Sequence, residues 1–290
     1  MTRIELRSLL KLTLALTSEK IMSGLSLSDK GKKLIELYDT MAVNGYDRED
    51  GTRINDVYND FELRKFRNLV RPYFAKYEVT SLLDYGCGGS DWDTVNFDEE
   101  TSATAKEFFG IDTVSYYEPA RDIDERQKVE CVSCFDVLEH VFISDVVTVL
   151  RDIFSYAEKL VVINIACYDS AAKLPNGENA HITVRDPMWW KGILDSVSIE
   201  FPSVNVLFIA SPAYRSAQVF ELWNATKWDD SENFKVNVIT PDIVGENASA
   251  INEVKVDKLQ LLELNNSAIN HDPQFSVELI DLLQKRFKVS

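Results

Sequence analysis

The chain has 290 residues, 47 acids against 31 bases and a formal net charge of −16. That length supports one large domain or one domain with appendages, and the 45% apolar content is ordinary for a chain with a proper core. The acidity argues against a nucleic-acid backbone as the main partner, because such binding is driven by basic patches that displace counterions. No apolar run approaches the roughly 18 residues of a membrane span, and the four cysteines read as the reduced thiols of a cytoplasmic protein.

Residues 1–16 mix Arg3, Arg7 and Lys11 with leucines, which predicts an amphipathic helix and not a signal peptide. A second short helix is expected after Ser28-Asp29, carried by Leu34, Ile35, Leu37 and Tyr38. Val57, Phe61, Leu63, Phe66, Leu69 and Val70 recur at helical spacing over 56–77, with an end expected near Arg71-Pro72. From Val79 onward strands and helices alternate. The expected elements are a strand Ser81–Tyr85, a helix Phe97–Phe109, a strand Thr113–Tyr117, a strand Val129–Phe135 and a helix Ile143–Ala157. A nearly unbroken apolar strand Leu160–Ala166 follows, then a helix Pro187–Val197 with proline in its first turn. Strands Ser203–Ala210 and Ser216–Trp223, joined by Ser211-Pro-Ala-Tyr214, close the pattern.

This alternation predicts an α/β fold: a doubly wound, mostly parallel sheet with helices on both faces. Three segments are expected, an N-terminal helical region over 1–78, a core over 79–228 and a C-terminal appendage over 229–290. The appendage carries short helices at Val254–Leu264 and Ser276–Phe287.

The chemistry concentrates at expected strand ends. In Ser81-Leu-Leu-Asp-Tyr-Gly-Cys-Gly-Gly-Ser90 an apolar run ends on Asp84 and is followed by Gly86, Gly88 and Gly89. Glycine lets backbone approach a ligand closely and adopt positive φ. A carboxylate before the glycines suits a ligand bearing an ammonium or sulfonium group better than bare phosphates. The dinucleotide fingerprint Gly-x-Gly-x-x-Gly fails, since its third glycine position is Asp91, and no P-loop run exists.

An acid at the end of the next strand could hold ribose hydroxyls by accepting two hydrogen bonds. Glu118 and Asp112 compete for that role, 34 and 28 residues after Asp84, against about 20 in a simple βαβ unit. An insertion around Asp91–Glu100 accounts for the excess. The strand Thr113–Tyr117 delivers Glu118 to the ligand edge, so Glu118 is preferred. Cys131 and Cys134 have metal-like spacing, yet on one strand they point to opposite faces and read as small apolar residues. The three histidines lie far apart with no His-x3-His spacing, so no metal is expected.

The Asp84-x-Gly86-x-Gly88 pattern resembles motif I of class I S-adenosylmethionine (SAM) methyltransferases. Asp136-Val-Leu-Glu-His-Val141 closely resembles a segment of methyltransferases that modify small molecules. Leu174-Pro-Asn-Gly-Glu-Asn-Ala-His181, followed by Pro187-Met-Trp-Trp190, is similar to a subgroup of bacterial and phage methyltransferases. The matches run from Leu82 to Trp190 and leave both ends uncovered.

The resemblance implies a Rossmann-like methyltransferase fold with a seven-stranded sheet, a closing antiparallel hairpin, and N-terminal helices covering the cofactor. It implies SAM as cofactor, bound by Asp84, Gly86, Cys87, Gly88, Glu118, Phe135, Asp136 and Val137. The implied reaction moves a methyl group to an oxygen or nitrogen of a small-molecule or sugar-like acceptor. His181 is then the candidate base, since an imidazole titrates near neutrality. His140 stands at the site rim, and Asn179 and Tyr168 could orient the acceptor. Against these roles stand plainer ones: a helix-terminal His140, a His181 that caps or binds the loop, and paired tryptophans that only pack.

Two other readings stand beside this one. A nucleic-acid methyltransferase would be expected to carry an (Asp/Asn/Ser)-Pro-Pro-(Tyr/Phe) motif where this chain has Phe135-Asp-Val-Leu138. A methyltransferase-fold module without turnover would keep the binding motifs alone.

Overall fold

A computed structural model describes residues 25–55, 62–214, 216–222 and 237–239 of the chain. The helices expected over 1–16, 254–264 and 276–287 lie outside the described residues.

Helix α1 (Asp29–Asn44) begins where Ser28 accepts the Gly31 N–H on its hydroxyl, at 3.1 Å. Its buried face, Leu34 and Met41, packs on Leu174 and Ala180. Residues 56–61 of the helix expected over 56–77 lie outside the described residues, and the rest is a 3-10 turn, Glu62–Phe66, leading into α2 (Arg67–Lys76). Pro72 lies inside α2 and does not end it. Its missing N–H costs one helical bond, but Val70 and Phe74, one turn apart and almost wholly buried, hold both halves of the helix on the sheet.

The helix expected over 97–109 shrinks to α3 (Ala105–Phe109). Thr104 and Glu107 form a reciprocal capping box that sets its start. Asn96 and Ser102 upstream sit at φ +66° and +59°, a conformation no α-helix accommodates.

Among the described residues the central sheet has eight strands, one more than expected. Its strands are β3 (Ser81–Tyr85), β4 (Thr113–Glu118), β5 (Ile123–Asp124), β6 (Val129–Phe135), β7 (Ala157–Ala166), β9 (Asn205–Ala213), β10 (Ser216–Leu222) and β11 (Asn237–Ile239). They lie in the order β11-β10-β9-β7-β6-β3-β4-β5. The five strands from β9 through β4 are parallel, with Leu82 opposite both Val114 and Cys131. The edge strand β5 runs antiparallel to β4, and β10 runs antiparallel to both β9 and the other edge strand, β11. Helix α4 (Val146–Tyr156) passes directly into β7, which starts at Ala157, earlier than the expected Leu160. Helix α5 (Pro187–Ser198) is capped by Asp186, whose carboxylate accepts the Met188 and Trp189 N–H groups. A separate small sheet pairs β1 (Tyr46–Arg48) with β2 (Arg53–Ile54) and β8 (Ala172–Lys173).

Alternate residues of each parallel strand feed two cores. Leu83, Val132, Cys134 and Val161 pack with Ile153, Trp190 and Leu194 of α4 and α5. Leu82, Cys131, Leu160 and Val162 pack with Val70 and Phe74 of α2 and with Phe108 and Phe109 of α3. Cys131 and Cys134 therefore lie on opposite faces, as their spacing required. The result is a mixed α/β protein with a mostly parallel central sheet, compatible with a Rossmann-like fold. From β3 the chain goes to β4 on one side and returns to β6 on the other. That switch opens a crevice at the carboxyl ends of β3 and β6, where open α/β sheets take their ligands. No helix among the described residues is long and apolar enough to cross a membrane.

Candidate functional site

A cavity of about 290 Å³ opens at that crevice, near the lower end of the range for small-molecule pockets. Its floor is the glycine turn after β3. The Gly86 and Cys87 N–H groups both donate to the Tyr117 carbonyl, at 2.7 and 3.1 Å. Gly86 sits at φ +77° and Gly88 at +54°. A Cβ on Gly86 would stand 2.3 Å from a Val137 methyl. Only glycine meets both demands.

Asp84 is buried and clasps this turn. One of its oxygens accepts the Ser90 hydroxyl at 2.6 Å and the Trp92 indole N–H at 2.9 Å. Burial pushes its carboxyl up, and those donors oppose the shift. Asp84 and Cys87 both line the cavity, and burial likewise raises the Cys87 thiol. Glu118 ends β4. Its Oε2 accepts the Gly88 N–H and its Oε1 the Ala120 N–H, both at 3.0 Å. An ionised carboxylate has about four acceptor positions, so capacity remains for ligand hydroxyls. Burial raises the Glu118 carboxyl, while the two amide donors pull it back. Asp112, just before β4, is exposed, and its N–H donates to the carbonyl of Thr80, just before β3. It is thus at the far end of the sheet, and Glu118 is the acid that reaches the cavity.

Phe135, Asp136 and Val137 line the cavity from the end of β6. Asp136 sits at φ +58°, the left-handed region that aspartate tolerates better than most residues. The next turn carries His140. Its Nδ1 lies 2.9 Å from the Ala180 carbonyl, which can only accept, so Nδ1 carries the proton. The Tyr38 hydroxyl donates to the same carbonyl at 2.5 Å. Burial, with His181 adding to it, lowers the His140 pKa to about 4.

His181 arrives from the loop after β7. It is buried, and its Nδ1–H donates to the Tyr168 carbonyl at 2.5 Å. The two imidazoles meet edge to face with centroids 4.9 Å apart. Residues 41 positions apart, with no shared motif, are therefore neighbours. His181 Nε2 lies 4.0 Å from Asp136 Oδ1. The histidines, expected to form no metal cluster because they lie far apart in sequence, converge in space: one potential ligand atom each from Asp136, His140 and His181 falls within 4.8 Å of the others.

Asn179 has a different role from the one expected. Its Oδ1 accepts the Ser170 and His181 N–H groups at 3.0 and 2.9 Å, and its Nδ2 donates to the Ser170 carbonyl at 2.8 Å. All of these bonds stay inside the loop, and Asn179 does not line the cavity. It shapes the loop that presents His181. Trp190 is fully buried and Trp189 packs on it edge to face, so the tryptophan pair belongs to the core side.

Glu139, which the resemblance sets beside His140 at the site rim, lies inside the protein. It is fully buried, and its Oε1 accepts the Ala166 N–H at the end of β7. Burial, then the charge of Asp136, pushes its carboxyl well above the usual range. Its backbone carbonyl accepts the Thr183 N–H at 2.8 Å, tying the two histidine-bearing loops together. A lone glutamate in a short turn gives no periodic signal of such burial.

Helix α1 roofs the cavity with Leu34, Tyr38 and Met41. Its start is pinned to Asp145, which accepts the Ser28 N–H at 2.8 Å and the Ser28 hydroxyl at 2.7 Å. Any Cβ at Gly31 would collide with that same carboxylate. Lys30 adds an exposed ion pair to Glu178 at 2.6 Å. No family model matches this chain, and no curated protein matches it.

Proposed function

We propose that the chain is a SAM-dependent methyltransferase acting on an oxygen or nitrogen of a small-molecule or sugar-like acceptor. The observation that carries this reading is the hydrogen bond from Gly88 N–H to Glu118 Oε2. It joins the glycine turn of β3 to the acid of β4 at one cavity wall, where a nucleoside has its base and ribose side by side.

The residues fit such a cofactor. Gly86 and Gly88 leave the backbone bare for close approach. Glu118 keeps acceptor positions for ribose hydroxyls. Phe135 and Val137 offer an apolar wall to an adenine ring. Bound SAM supplies an electrophilic methyl on a sulfonium, a group that transfers by in-line displacement.

The protein's own contribution is positioning, which is worth several kcal/mol when the reacting atoms are held close. α1 and the loop carrying His181 enclose the far end of the cavity and exclude water. Asp136, His140 and His181 mark where the acceptor nucleophile sits and loses its proton. With each Nδ1–H bound to a carbonyl, Nε2 is the ring atom left to accept the proton of that nucleophile.

Titration of the purified chain with SAM and with NAD by calorimetry tests the reading. Saturable binding of SAM alone is expected. No heat from SAM at millimolar ligand would sink it, and binding of NAD in its place would make the site a dinucleotide site.

A further inference from the structure

We propose that Asp136, His140 and His181 together hold a divalent transition-metal ion, such as Zn²⁺, at the inner end of the cavity. The proposal stands on these side chains and does not rest on the methyl-transfer reading.

The ligand types suit that class of ion. Two imidazoles and one carboxylate is a donor set used by zinc and by iron-group ions, and Mg²⁺ or Ca²⁺ would ask for oxygens throughout. The orientation of the rings is the more specific sign. Histidines that bind metals donate their other ring N–H to a carbonyl or carboxylate, which fixes the tautomer and turns the lone pair toward the ion. Both rings are held in this way, His140 by the Ala180 carbonyl at 2.9 Å and His181 by the Tyr168 carbonyl at 2.5 Å. Both are therefore restrained with Nε2 as the available ligand atom, and His181 Nε2 is 4.0 Å from Asp136 Oδ1.

The separations are close to those of a filled site. Bonds of about 2.0–2.1 Å in a tetrahedron put ligand atoms about 3.3 Å apart. The three atoms lie within 4.8 Å of one another. Asp136, whose side chain is 39% exposed, has the freedom to close the remainder.

A second observation comes from Glu139. It is fully buried, and among the described residues its Oε2 has no hydrogen-bond partner. Adjacent in sequence to His140, it places a second acid beside the group. Three protein ligands leave at least one position open, directed at the cavity. A hydroxyl oxygen is a ligand class such a position takes, and a bound hydroxyl would be more acidic than a free one, so with an ion present the ion, and not a free Nε2, would promote loss of that proton.

The test uses the full chain, stripped with EDTA and dialysed. ZnCl₂ is titrated in by calorimetry, and CoCl₂ is followed by visible absorption. One ion per chain, at micromolar or tighter affinity, is expected, with Co²⁺ giving the bands of a site of low coordination number. His140→Gln, His181→Gln and Asp136→Asn should each weaken Zn²⁺ binding at least tenfold, with circular dichroism confirming that each variant is folded. No stoichiometric uptake up to 1 mM Zn²⁺ would overturn the proposal. So would uptake that both histidine variants leave unchanged, since the ion would then sit elsewhere. SAM titrated into the same stripped chain separates failure of the metal site from failure of the cofactor reading.

Discussion

Glu118 Oε2 accepts the Gly88 N–H at 3.0 Å, so the acid that ends β4 also fixes the glycine turn that ends β3. One carboxylate thus shapes the floor of the cavity and faces what lies on it. Removing it should act on binding more than on folding. Glu118→Ala is expected to weaken SAM binding about 10- to 100-fold, the worth of one or two hydrogen bonds to a charged group. Glu118→Gln keeps an acceptor for Gly88 and should fall between the two. Equal calorimetric affinity for wild type and the alanine variant would remove Glu118 from the site.

Gly86 and Gly177 separate two costs of a methyl group. Both have positive φ, at +77° and +87°, but only Gly86 has a neighbour, Val137, in the space a Cβ would take. Gly177→Ala should lose about 1 kcal/mol from backbone strain alone. Gly86→Ala should lose about 3 kcal/mol, because overpacking against Val137 adds to that strain. Urea denaturation of the two variants checks the order, and equal losses would mean that the Gly86 turn relaxes away from Val137.

Asn179 is a loop clamp, and its removal should register in stability. Asn179→Ala leaves the Ser170 and His181 N–H groups without their side-chain acceptor and is expected to cost about 2 kcal/mol. If Asn179 served the acceptor directly, thermal unfolding would hardly move.

Glu130 gives the acid limb of stability a definite shape. Lys159 at 2.7 Å, with the Thr80 and Ser81 N–H groups, holds its carboxyl down at about 2, from an ordinary 4.5. A depressed folded pKa means that this contribution is present above the unfolded value and is lost as pH falls from about 4.5 toward 2. Glu130→Gln should cost about 1 kcal/mol at neutral pH and flatten the stability curve within that window. Stability measured across pH 2 to 6 checks it, and an unchanged slope there would show that other carboxylates carry the acid limb.

The strands were the most legible part of the chain. β3 and β6 match their expected limits because buried parallel strands must be continuous apolar runs, and such runs are visible residue by residue. Helix limits were less visible. The start of α3 depends on the Thr104–Glu107 box and on left-handed residues upstream, and Pro72 is tolerated because Val70 and Phe74 are anchored by tertiary contacts. The strands β1, β2, β5, β8 and β11 run two or three residues each, too short to show alternation.

The site divides along the same line. By itself the sequence determined the glycine turn, the acids at the strand ends and the apolar alternation that builds a parallel sheet, because each is a local requirement of backbone geometry or burial. The preference for Glu118 over Asp112 was legible too, because the two flank one strand and only Glu118 follows it. By contrast, the demotion of Asn179 to a loop clamp is a matter of hydrogen bonds. Only the tertiary structure decided that His140 and His181 are neighbours facing Asp136, with Glu139 buried behind them. They sit on loops that leave adjacent parallel strands, β6 and β7, and the distance between such loops is set by strand pairing, which spacing along the chain does not record.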